Sequence, residues 1–355
     1  MEENLHQKVT IVDIAAKVGC SVATASRVLS GSNYPVSEEK RARIREAAQV
    51  MGYSPNPLGR MLKTNTNPSI GIIIPSFQNP FYTQIIMGIE QEASRKGYAP
   101  LVLTSQRTAD VERQRIQSLI QKRIGCLMLT SVDDSPKMLK KFLAAGGKAC
   151  VFEANFPDQE NVINAKADMF EAGSIAMSYL LEMGHRNIAF FTAPLCKQSR
   201  KLTLDGCRFA MSRYGLSFQD DDIIAASYER EIDDGLYEFE LGVSLVHIML
   251  EQKRNYTAII ALNDLLACGV ISELKQSGLR VPEDISVIGF DDIPYSAMMS
   301  PRLTTIHLSS FLLGQRAAQL MINALEANEV SDRITMSVKP QLITRESVSR
   351  PSTMP

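Results

Sequence analysis

The sequence predicts an α/β body of two doubly wound parallel sheets, preceded by an all-α N-terminal unit. Short apolar runs alternate with longer amphipathic segments from residue 70 onward, which indicates strands that alternate with helices. These strand–helix units are too numerous for one sheet of ordinary size. The chain of 355 residues is also too long for a single hydrophobic core. Both observations favour two α/β subdomains in the body.

The apolar runs of the body have the length of buried strands. The predicted strands are Ile70–Ile74, Leu101–Leu103, Gly125–Leu129, Ala149–Phe152, Ile188–Phe191, Ile223–Ala226, Ala258–Ala261 and Ser286–Phe290. The predicted helices lie near residues 81–96, 111–122, 138–145, 169–183 and 265–275. Strands that are buried on both faces and alternate with helices are typical of a parallel sheet. Such sheets bind ligands at the carboxyl ends of their strands.

The N-terminal unit begins with two short helical segments on either side of Gly19. Thr10 and Asp13 have the spacing of a capping box, so the first helix is expected to begin at Thr10. Gly19 is expected to supply the tight turn, and Ser21 to cap the second helix. The pattern therefore predicts a helix-turn-helix.

A third helix, capped by Ser37 and ended by Gly52, completes the unit. In the second helix, helical spacing turns the larger apolar residues inward and leaves an outward face of Val22, Ala23, Ser26 and Arg27. This face is short and small, and it ends in a cation. A DNA major groove admits one α-helix, where an arginine can read guanine O6 and N7 or hold a phosphate.

The charge of the chain is distributed unevenly. Residues 1–64 carry nine Lys and Arg against six Asp and Glu, a balance of +3. Because the whole chain has a formal net charge of −1, the remainder carries −4. A basic head on an acidic body is expected of a nucleic-acid binder. The alternative, an ordinary three-helix packing unit, does not account for this asymmetry.

Several classes of protein are excluded by motifs that the chain lacks. It has no glycine-rich phosphate loop, nucleophile elbow or metal-ligand spacing of His and Cys, so no enzyme, catalytic residue, metal or cofactor is predicted. No apolar run reaches about 18 residues, so no membrane span is predicted. The polar, acidic N-terminus is unlike a secretory signal, so a cytoplasmic protein with free thiols is expected.

The N-terminal unit and the segment after it contain a specific set of spaced residues. They are Asp13-Ile-Ala, Gly19, Ser21, Thr24-Ala-Ser-Arg-Val-Leu29, Val36-Ser37, Gly52-Tyr53, Pro55-Asn56, Arg60 and Leu62. In this pattern the chain resembles the lactose-repressor (LacI/GalR) family of bacterial transcription regulators, and the resemblance continues through nearly the whole chain. It implies a dimeric, ligand-controlled transcriptional regulator, here expected to be a repressor that binds double-stranded operator DNA.

The resemblance also implies a domain organisation. Residues 1–55 would form a helix-turn-helix DNA-binding domain, and residues 56–64 a hinge helix that folds on DNA because it is too short to be stable alone. Residues 69–346 would form a periplasmic-binding-protein-like domain for effector binding and dimerisation. The chain would cross between subdomains near residues 165, 293 and 325. The N-subdomain would then hold residues 69–165 and 294–325, and the C-subdomain residues 166–293 and 326–346.

The residues expected to contact DNA come from the first two helices, their flanks and the hinge. They are Thr10, Ser21, Val22, Ala23, Thr24, Ser26, Arg27, Ser30, Tyr53, Asn56, Arg60, Leu62 and Lys63. Leu62 matches the family leucine that wedges into the minor groove at the operator centre. Gly59 replaces the usual alanine at a cost of about 1 kcal/mol in helix propensity. The hinge is therefore expected to be looser than the family norm.

Aromatic and polar residues follow the predicted strands. Phe77, Phe81 and Tyr82 can stack on a sugar or a base, or they can cap the next helix and pack internally. Glu153 follows a later strand, where a carboxylate can bind ligand hydroxyls. Each of these residues is expected to face an effector at the carboxyl ends of the strands.

Two further strand ends carry polar pairs. Either Asn263 or Asp264 can cap the following helix, so only one of the two need face a ligand. The resemblance implies that Asn263 and Asp291 bind the effector, and it places Tyr228 where the family has an aromatic ring that stacks on the ligand. The segment after Tyr228 is longer than the family pattern.

One position departs from the family at the expected effector site. Thr203 stands where the family has an arginine, so another cation is needed, and Arg200 is selected among Lys197, Arg200, Lys201 and Arg208. A sugar-like small molecule is the expected effector, and induction and co-repression both stay open. The C-terminus lacks a leucine heptad, so a homodimer is expected rather than a tetramer.

Overall fold

The computed structural model describes residues 9–29, 34–53, 68–133, 135, 137–153, 160–229, 236–327 and 334–352. The chain divides into two units, Met1–Asn67 and Pro68–Pro355. Each unit has its own hydrophobic core. Within the described ranges, no helix is long and apolar enough to cross a membrane.

The first unit is built from three helices, α1 (Ile11–Val18), α2 (Val22–Leu29) and α3 (Glu38–Val50). Each helix is too short to be stable alone, so the unit depends on the apolar faces that the three helices share. The buried residues of this small core are Ile14, Ala15, Val18, Ala25, Val28, Ile44, Ala47 and Ala48.

The predicted helix starts and turn of the first unit are confirmed. Asp13 accepts hydrogen bonds from the backbone N–H and the hydroxyl of Thr10, at 2.8 and 2.7 Å. The hydroxyl of Ser21 accepts from the N–H three residues later at 3.1 Å, and that of Ser37 does the same at 3.4 Å. Gly19 has a φ of 71°, which glycine adopts without steric cost.

The first sheet of the second unit has six strands. They are β1 (Ser69–Ile74), β2 (Ala99–Thr104), β3 (Cys126–Thr130), β4 (Lys148–Phe152), β5 (Val162–Ala167) and β11 (Thr335–Val338). Their order is β11–β5–β4–β3–β1–β2, and all neighbours are parallel. The helices that pack with this sheet are α4 (Pro80–Arg95), α5 (Ala109–Gln121), α6 (Lys137–Ala144) and α11 (Ser310–Glu326).

The second sheet also has six strands. They are β6 (Ile188–Thr192), β7 (Ile223–Ala225), β8 (Ala258–Ala261), β9 (Ser286–Asp291), β10 (Thr304–His307) and β12 (Gln341–Ile343). Their order is β12–β10–β9–β8–β6–β7, and only β12 runs antiparallel to its neighbour. Its helices are α7 (Met169–Glu182), α8 (Gln198–Arg213), α9 (Tyr237–Glu251) and α10 (Asp264–Gln276). The predicted fold class, two parallel α/β subdomains behind a helical unit, is confirmed.

Two of the three predicted crossings between subdomains are wrong, because residues 294–325 and 326–346 each divide between the two sheets. β10 pairs in parallel with β9, so the chain stays in the second sheet until residue 307 and joins the first with α11. β11 pairs with β5, so the last crossing lies between residues 338 and 341. The sequence interpretation missed β10 and β11 because both are short and carry polar residues instead of a continuous apolar run.

Pairs of glycines allow helices of the second unit to touch closely. The helix pairs are α4 with α11, α7 with α8 and α9 with α10, and their contact glycines are Gly88 and Gly314, Gly173 and Gly206, and Gly242 and Gly269. A Cβ atom at Gly206 would lie 2.0 Å from the carbonyl oxygen of Phe170. A Cβ atom at Gly173 would lie 2.0 Å from the carbonyl oxygen of Thr203. Only residues without a side chain permit this approach. The contact between α7 and α8 therefore fixes the position of α8.

Replacing Gly206 with alanine is expected to destabilise the second unit by about 1–3 kcal/mol, because the new methyl group would overlap a backbone oxygen. Gly125→Ala is the matched control, since nothing lies within 4 Å of a Cβ atom built at that position. Urea unfolding of the two full-length variants measures the difference. Equal midpoints would show that α7 and α8 separate without cost.

Candidate functional site

Helix α2 presents an accessible face on the first unit. Its opposite face is buried against α1 and α3. The hydroxyl groups of Ser21 and Thr24 lie 2.8 Å apart at its start and share a hydrogen bond. The residues that remain exposed or half-buried on the outer face are Val22, Ala23, Ser26 and Arg27, as the sequence predicts.

The guanidinium group of Arg27 is positioned by an aromatic ring. Its Cζ atom lies 4.3 Å from the centroid of the Tyr34 ring, which is within the range of a cation–π interaction. Tyr34 stands in the segment before α3 and is itself half-buried. The ring therefore limits the directions in which the Arg27 side chain can point. Tyr34 is absent from the sequence-predicted site residues, because its contact with Arg27 depends on the tertiary structure.

Of the other residues predicted to contact DNA, two lie within the described ranges and five lie outside them. Thr10 is exposed at the start of α1, whereas Tyr53 is half-buried and packs against the core of the first unit. The N–H of Tyr53 also donates to the carbonyl of Ala48 at 2.9 Å, in the turn that ends α3. Ser30, Asn56, Arg60, Leu62 and Lys63 lie outside the described residues, as does the predicted hinge helix at residues 56–64.

Six of the eight residues predicted to face an effector line one cavity of the second unit. They are Phe81, Tyr82, Glu153, Arg200, Asn263 and Asp291. The cavity lies at the carboxyl ends of the strands, where α4 follows β1, Glu153 follows β4 and Asp291 ends β9. Both subdomains therefore contribute to it, as expected for ligand sites in doubly wound sheets.

Phe77 and Tyr228 are not brought to this cavity. Phe77 is 55% exposed and Tyr228 is 62% exposed. Tyr228 borders a separate depression beside α9, and its backbone carbonyl accepts a hydrogen bond from the hydroxyl of Tyr237 at 3.1 Å. The next residue, Glu229, contacts the cavity residue Arg200 instead. In this loop, Glu229 and not Tyr228 contacts a residue that lines the cavity.

The two aromatic residues of α4 pack internally, which is one of the alternatives that the sequence left open. Phe81 and Tyr82 are almost completely buried, and their rings meet edge to face with centroids 5.3 Å apart. They therefore pack internally, and they also form part of the cavity wall. The helix itself is capped by Asn79, whose side-chain oxygen accepts from the N–H of Phe81 at 2.9 Å.

Asn263 and Asp264 have different roles. The side-chain oxygen of Asn263 caps α10 by accepting from the N–H of Leu266 at 2.9 Å, while the residue also lines the cavity. Asp264 is completely buried and anchors the segment after β9. It accepts hydrogen bonds from the N–H of Ile293 and the hydroxyls of Ser296 and Thr305 at 3.0, 2.5 and 2.6 Å. Burial raises the pKa of Asp264 to about 7, although these three donors favour its charged form.

Two acidic residues that line the cavity have unusual backbone conformations. Glu153 has a φ of 59° and Asp291 a φ of 106°, in the region that residues other than glycine rarely adopt. Neither side chain has a hydrogen-bond partner among the described residues, and burial raises the pKa of both. Backbone strain of this kind is concentrated at functional sites. The two residues are therefore held in place by the surrounding fold and remain available to a ligand.

A buried arginine connects the two subdomains beside the cavity. Arg107, on the loop after β2, contacts Glu229 at 3.0 Å and Glu238 at 2.6 Å. The side-chain amide of Asn79 also donates to Glu238 at 3.1 Å. Arg107 and Asn79 belong to the first sheet's subdomain, and both glutamates to the second. The side chains of Arg107 and Glu238 are only 3% and 6% exposed, so water screens this pair weakly.

Two more cations approach Glu229 from the start of α8. The guanidinium of Arg200 donates to both carboxylate oxygens at 2.9 and 3.1 Å, and the Nζ atom of Lys197 lies 3.9 Å away. Burial alone would raise the pKa of Glu229, but the charges of Lys197, Arg200 and Arg107 outweigh it and lower the pKa to about 2. Glu229 is therefore a fixed negative charge among three positive charges.

Sequence reasoning missed Arg107, Lys197, Glu229 and Glu238 as site residues. A usable signal exists for Arg107, because it stands three residues after the end of β2, at the same sheet edge as the predicted residues. Lys197 was considered but not selected. Glu229 and Glu238 flank the long segment after β7, and nothing in their local sequence distinguishes a buried ion pair from a solvated surface.

The cavity is small in this arrangement. Its volume is about 60 Å³, whereas sites for small molecules usually measure about 300–1,000 Å³. A ligand of the size of a sugar does not fit into this volume. Among the described residues, no group of three or more His, Cys, Asp or Glu side chains is placed to hold a metal ion.

Comparison with known families assigns both units. Residues 10–56 match the family described as bacterial regulatory proteins, lacI family. Residues 67–343 match the family described as periplasmic binding proteins and sugar binding domain of LacI family. Together the two matches span nearly the whole chain.

Individual relatives agree with this assignment. The transcriptional repressors PurR of Pasteurella multocida and of Mannheimia succiniciproducens are 33% and 31% identical to the chain. Each match covers 96% of this chain, and it covers 98% and 99% of the respective relative. A structure of the lac repressor dimer bound to operator and the anti-inducer ONPF is 25% identical, with a TM-score of 0.81 over 97% of this chain and 100% of that chain. The chain belongs to the LacI family of bacterial transcription regulators, with a DNA-binding first unit and an effector-binding second unit.

Proposed function

We propose that this chain is a homodimeric repressor whose affinity for operator DNA is set by a sugar or sugar derivative bound in the cavity of the second unit. The observation that carries the proposal is the cavity at the carboxyl ends of both sheets, beside which the ion pairs of Arg107 join the two subdomains. A ligand that enlarges this cavity would displace the groups around it. Ligand binding and the relative position of the subdomains are therefore coupled.

The DNA-binding part of the proposal rests on α2. Its outer face places small side chains beside Arg27, which lets the helix backbone approach base edges in a major groove. Ser21, Thr24 and Thr10 offer hydroxyl groups for phosphate contacts at the starts of α1 and α2. We further assign DNA contacts to Ser30, Tyr53, Asn56, Arg60, Leu62 and Lys63. In this proposal residues 1–55 form the DNA-binding domain and residues 56–64 the hinge helix.

The dimeric part of the proposal rests on symmetry. One α2 helix covers only a few base pairs, and a two-fold dimer would read two half-sites about one helical turn apart. The lac repressor structure that resembles this chain is a dimer on its operator. A chain of this kind needs no catalytic group, and none of its cavity residues is assigned a catalytic role.

Operator selection tests the whole proposal. Full-length protein is used to enrich binding sequences from a pool of random double-stranded DNA, and the enriched DNA is then titrated in gel shifts. A two-fold symmetric consensus is expected, together with one protein dimer per site in sedimentation. A panel of sugars and sugar phosphates is then screened by melting temperature, because a ligand at 100 times its Kd adds about 2.7 kcal/mol of stability. Failure to enrich any sequence, both without ligand and in the presence of the ligand panel, would refute the proposal.

Arg27→Ala is expected to weaken binding to the selected operator by about 1–3 kcal/mol and to relax discrimination at one base pair. The matched control is Arg45→Ala, which removes an exposed arginine of α3, away from the outer face of α2. Gel-shift titrations on operator and scrambled DNA give both affinities. If Arg27→Ala leaves both unchanged, α2 is not the reading helix.

Asp291→Asn is expected to lower the affinity for the effector found in the screen by about 0.5–1.5 kcal/mol, while DNA binding is retained. Asparagine keeps the shape of the side chain and tolerates a positive φ, so the variant tests the carboxyl group alone. Glu240→Gln, at an exposed position of α9, is the control. Calorimetry measures the affinities.

Asn263→Asp is expected to weaken effector binding similarly, because it keeps the oxygen that caps α10 but removes the amide donor next to the cavity. Calorimetry with the same effector measures the loss, and the melting temperature without ligand shows whether the cap survives. Normal effector binding by a stable Asn263→Asp variant would assign Asn263 to capping only.

A further inference from the structure

Three cations from both subdomains meet at one carboxylate beside the cavity. We call Arg107, Lys197 and Arg200 the cation cluster. All three lie within 4 Å of Glu229, at 3.0, 3.9 and 2.9 Å. Their side chains are 3%, 18% and 9% exposed. The cluster is thus a largely buried concentration of positive charge, and in this arrangement Glu229 lies at its centre.

The start of α8 adds further attraction for an anion. No side chain caps this helix, so the amide groups of its first turn have no partner of that kind. The hydroxyl of Ser199, which lines the cavity, has no hydrogen-bond partner among the described residues. A helix N-terminus carries a partial positive charge and is suited to bind phosphate or carboxylate. Lys197, Ser199 and Arg200 place three polar side chains at this same point.

Lys197 is the member of the cluster with the weakest partner. Its contact with Glu229, at 3.9 Å, is longer than a hydrogen bond, and no other acceptor for its ammonium group exists among the described residues. A half-buried ammonium group without a hydrogen bond is costly. Lys197 also lines the cavity, so its unused donors are accessible to a ligand there.

We propose that Glu229 occupies the binding site of an acidic group, and that the effector carries a carboxylate or a phosphate that displaces it. This inference rests on the proposed function, because it names the chemical class of the effector. The planar guanidinium of Arg200, which now donates to both oxygens of Glu229, can hold a carboxylate or phosphate in the same way. The acidic group of the effector would also accept hydrogen bonds from Lys197, Ser199 and the backbone N–H groups at the start of α8. Glu229 accepts none of these.

The charges around the cavity agree with an anionic ligand. Once Glu229 is displaced, three positive charges remain beside one negative charge. That negative charge belongs to Glu238, which stays bonded to Arg107 and Asn79. Glu153 and Asp291 line the same cavity, and burial raises the pKa of both. The vacated cluster therefore has an excess of positive charge, which an acidic ligand neutralises and a neutral sugar does not.

The test removes the internal competitor. Full-length Glu229→Gln is melted in increasing inorganic phosphate and, separately, in acetate, each against chloride at equal ionic strength. Glu229→Gln is expected to bind one of these anions about tenfold more tightly than the unmodified protein, because the charge to be displaced is gone. Glu240→Gln, an exposed glutamate of the neighbouring α9, is the matched control and should behave like the unmodified protein. The two salts distinguish a phosphate from a carboxylate ligand.

Adding Lys197→Gln to Glu229→Gln is expected to abolish the gain, and the melting temperature without added anion shows that both variants are folded. The inference is overturned if a folded Glu229→Gln variant binds neither anion more tightly than Glu240→Gln, or if a neutral sugar proves to be the effector and binds Glu229→Gln unchanged. Operator titration separates this failure from that of the proposed function. An unmodified protein that binds operator upholds the DNA-binding part of the proposed function, whatever the anions do.

Discussion

The ion pairs of Arg107 join the two subdomains beside the cavity. Its guanidinium reaches across from the loop after β2 to Glu229 and Glu238, and all of these side chains are largely withdrawn from water. Buried charges are tolerated only when their partners are well placed, so Arg107 favours one relative position of the subdomains. The small cavity volume and the placement of Glu229 against α8 follow from this position. Any ligand must compete with these contacts as well as supply its own.

Backbone contacts at paired glycines join helices within each subdomain. The chain crosses between the subdomains near residue 168 and between residues 307–310 and 338–341. At one crossing Ser309 has a φ of 50°, just after β10. Asp292 accepts from His307 and from Arg345 at 3.1 and 2.6 Å beside it. Asp292 thus ties the start of this crossing to Arg345, which follows β12 of the second sheet.

The sequence predicts the fold and six of the thirteen residues that line the cavity, for reasons that also explain its errors. Strands buried on both faces, such as β1 and β8, have continuous apolar runs and are readily recognised. β10 and β11 are recognisable only through their neighbours, so the crossings were misplaced. Strand ends are local features, which is why Glu153 and Asp291 were found. The pairing of Arg107 with Glu238 joins residues 131 positions apart and leaves no local trace.

In the proposed role of Arg27 as a base-contacting residue, its contact with Tyr34 affects the strength of binding and not the choice of base. An arginine side chain that is free in solution loses about 2 kcal/mol of rotamer freedom when it is fixed at a base edge. The ring at position 34 has already restricted that side chain in the free protein. If Arg27 contacts a base as proposed, a change at Tyr34, a residue outside α2, alters the strength of that contact without altering which bases are read.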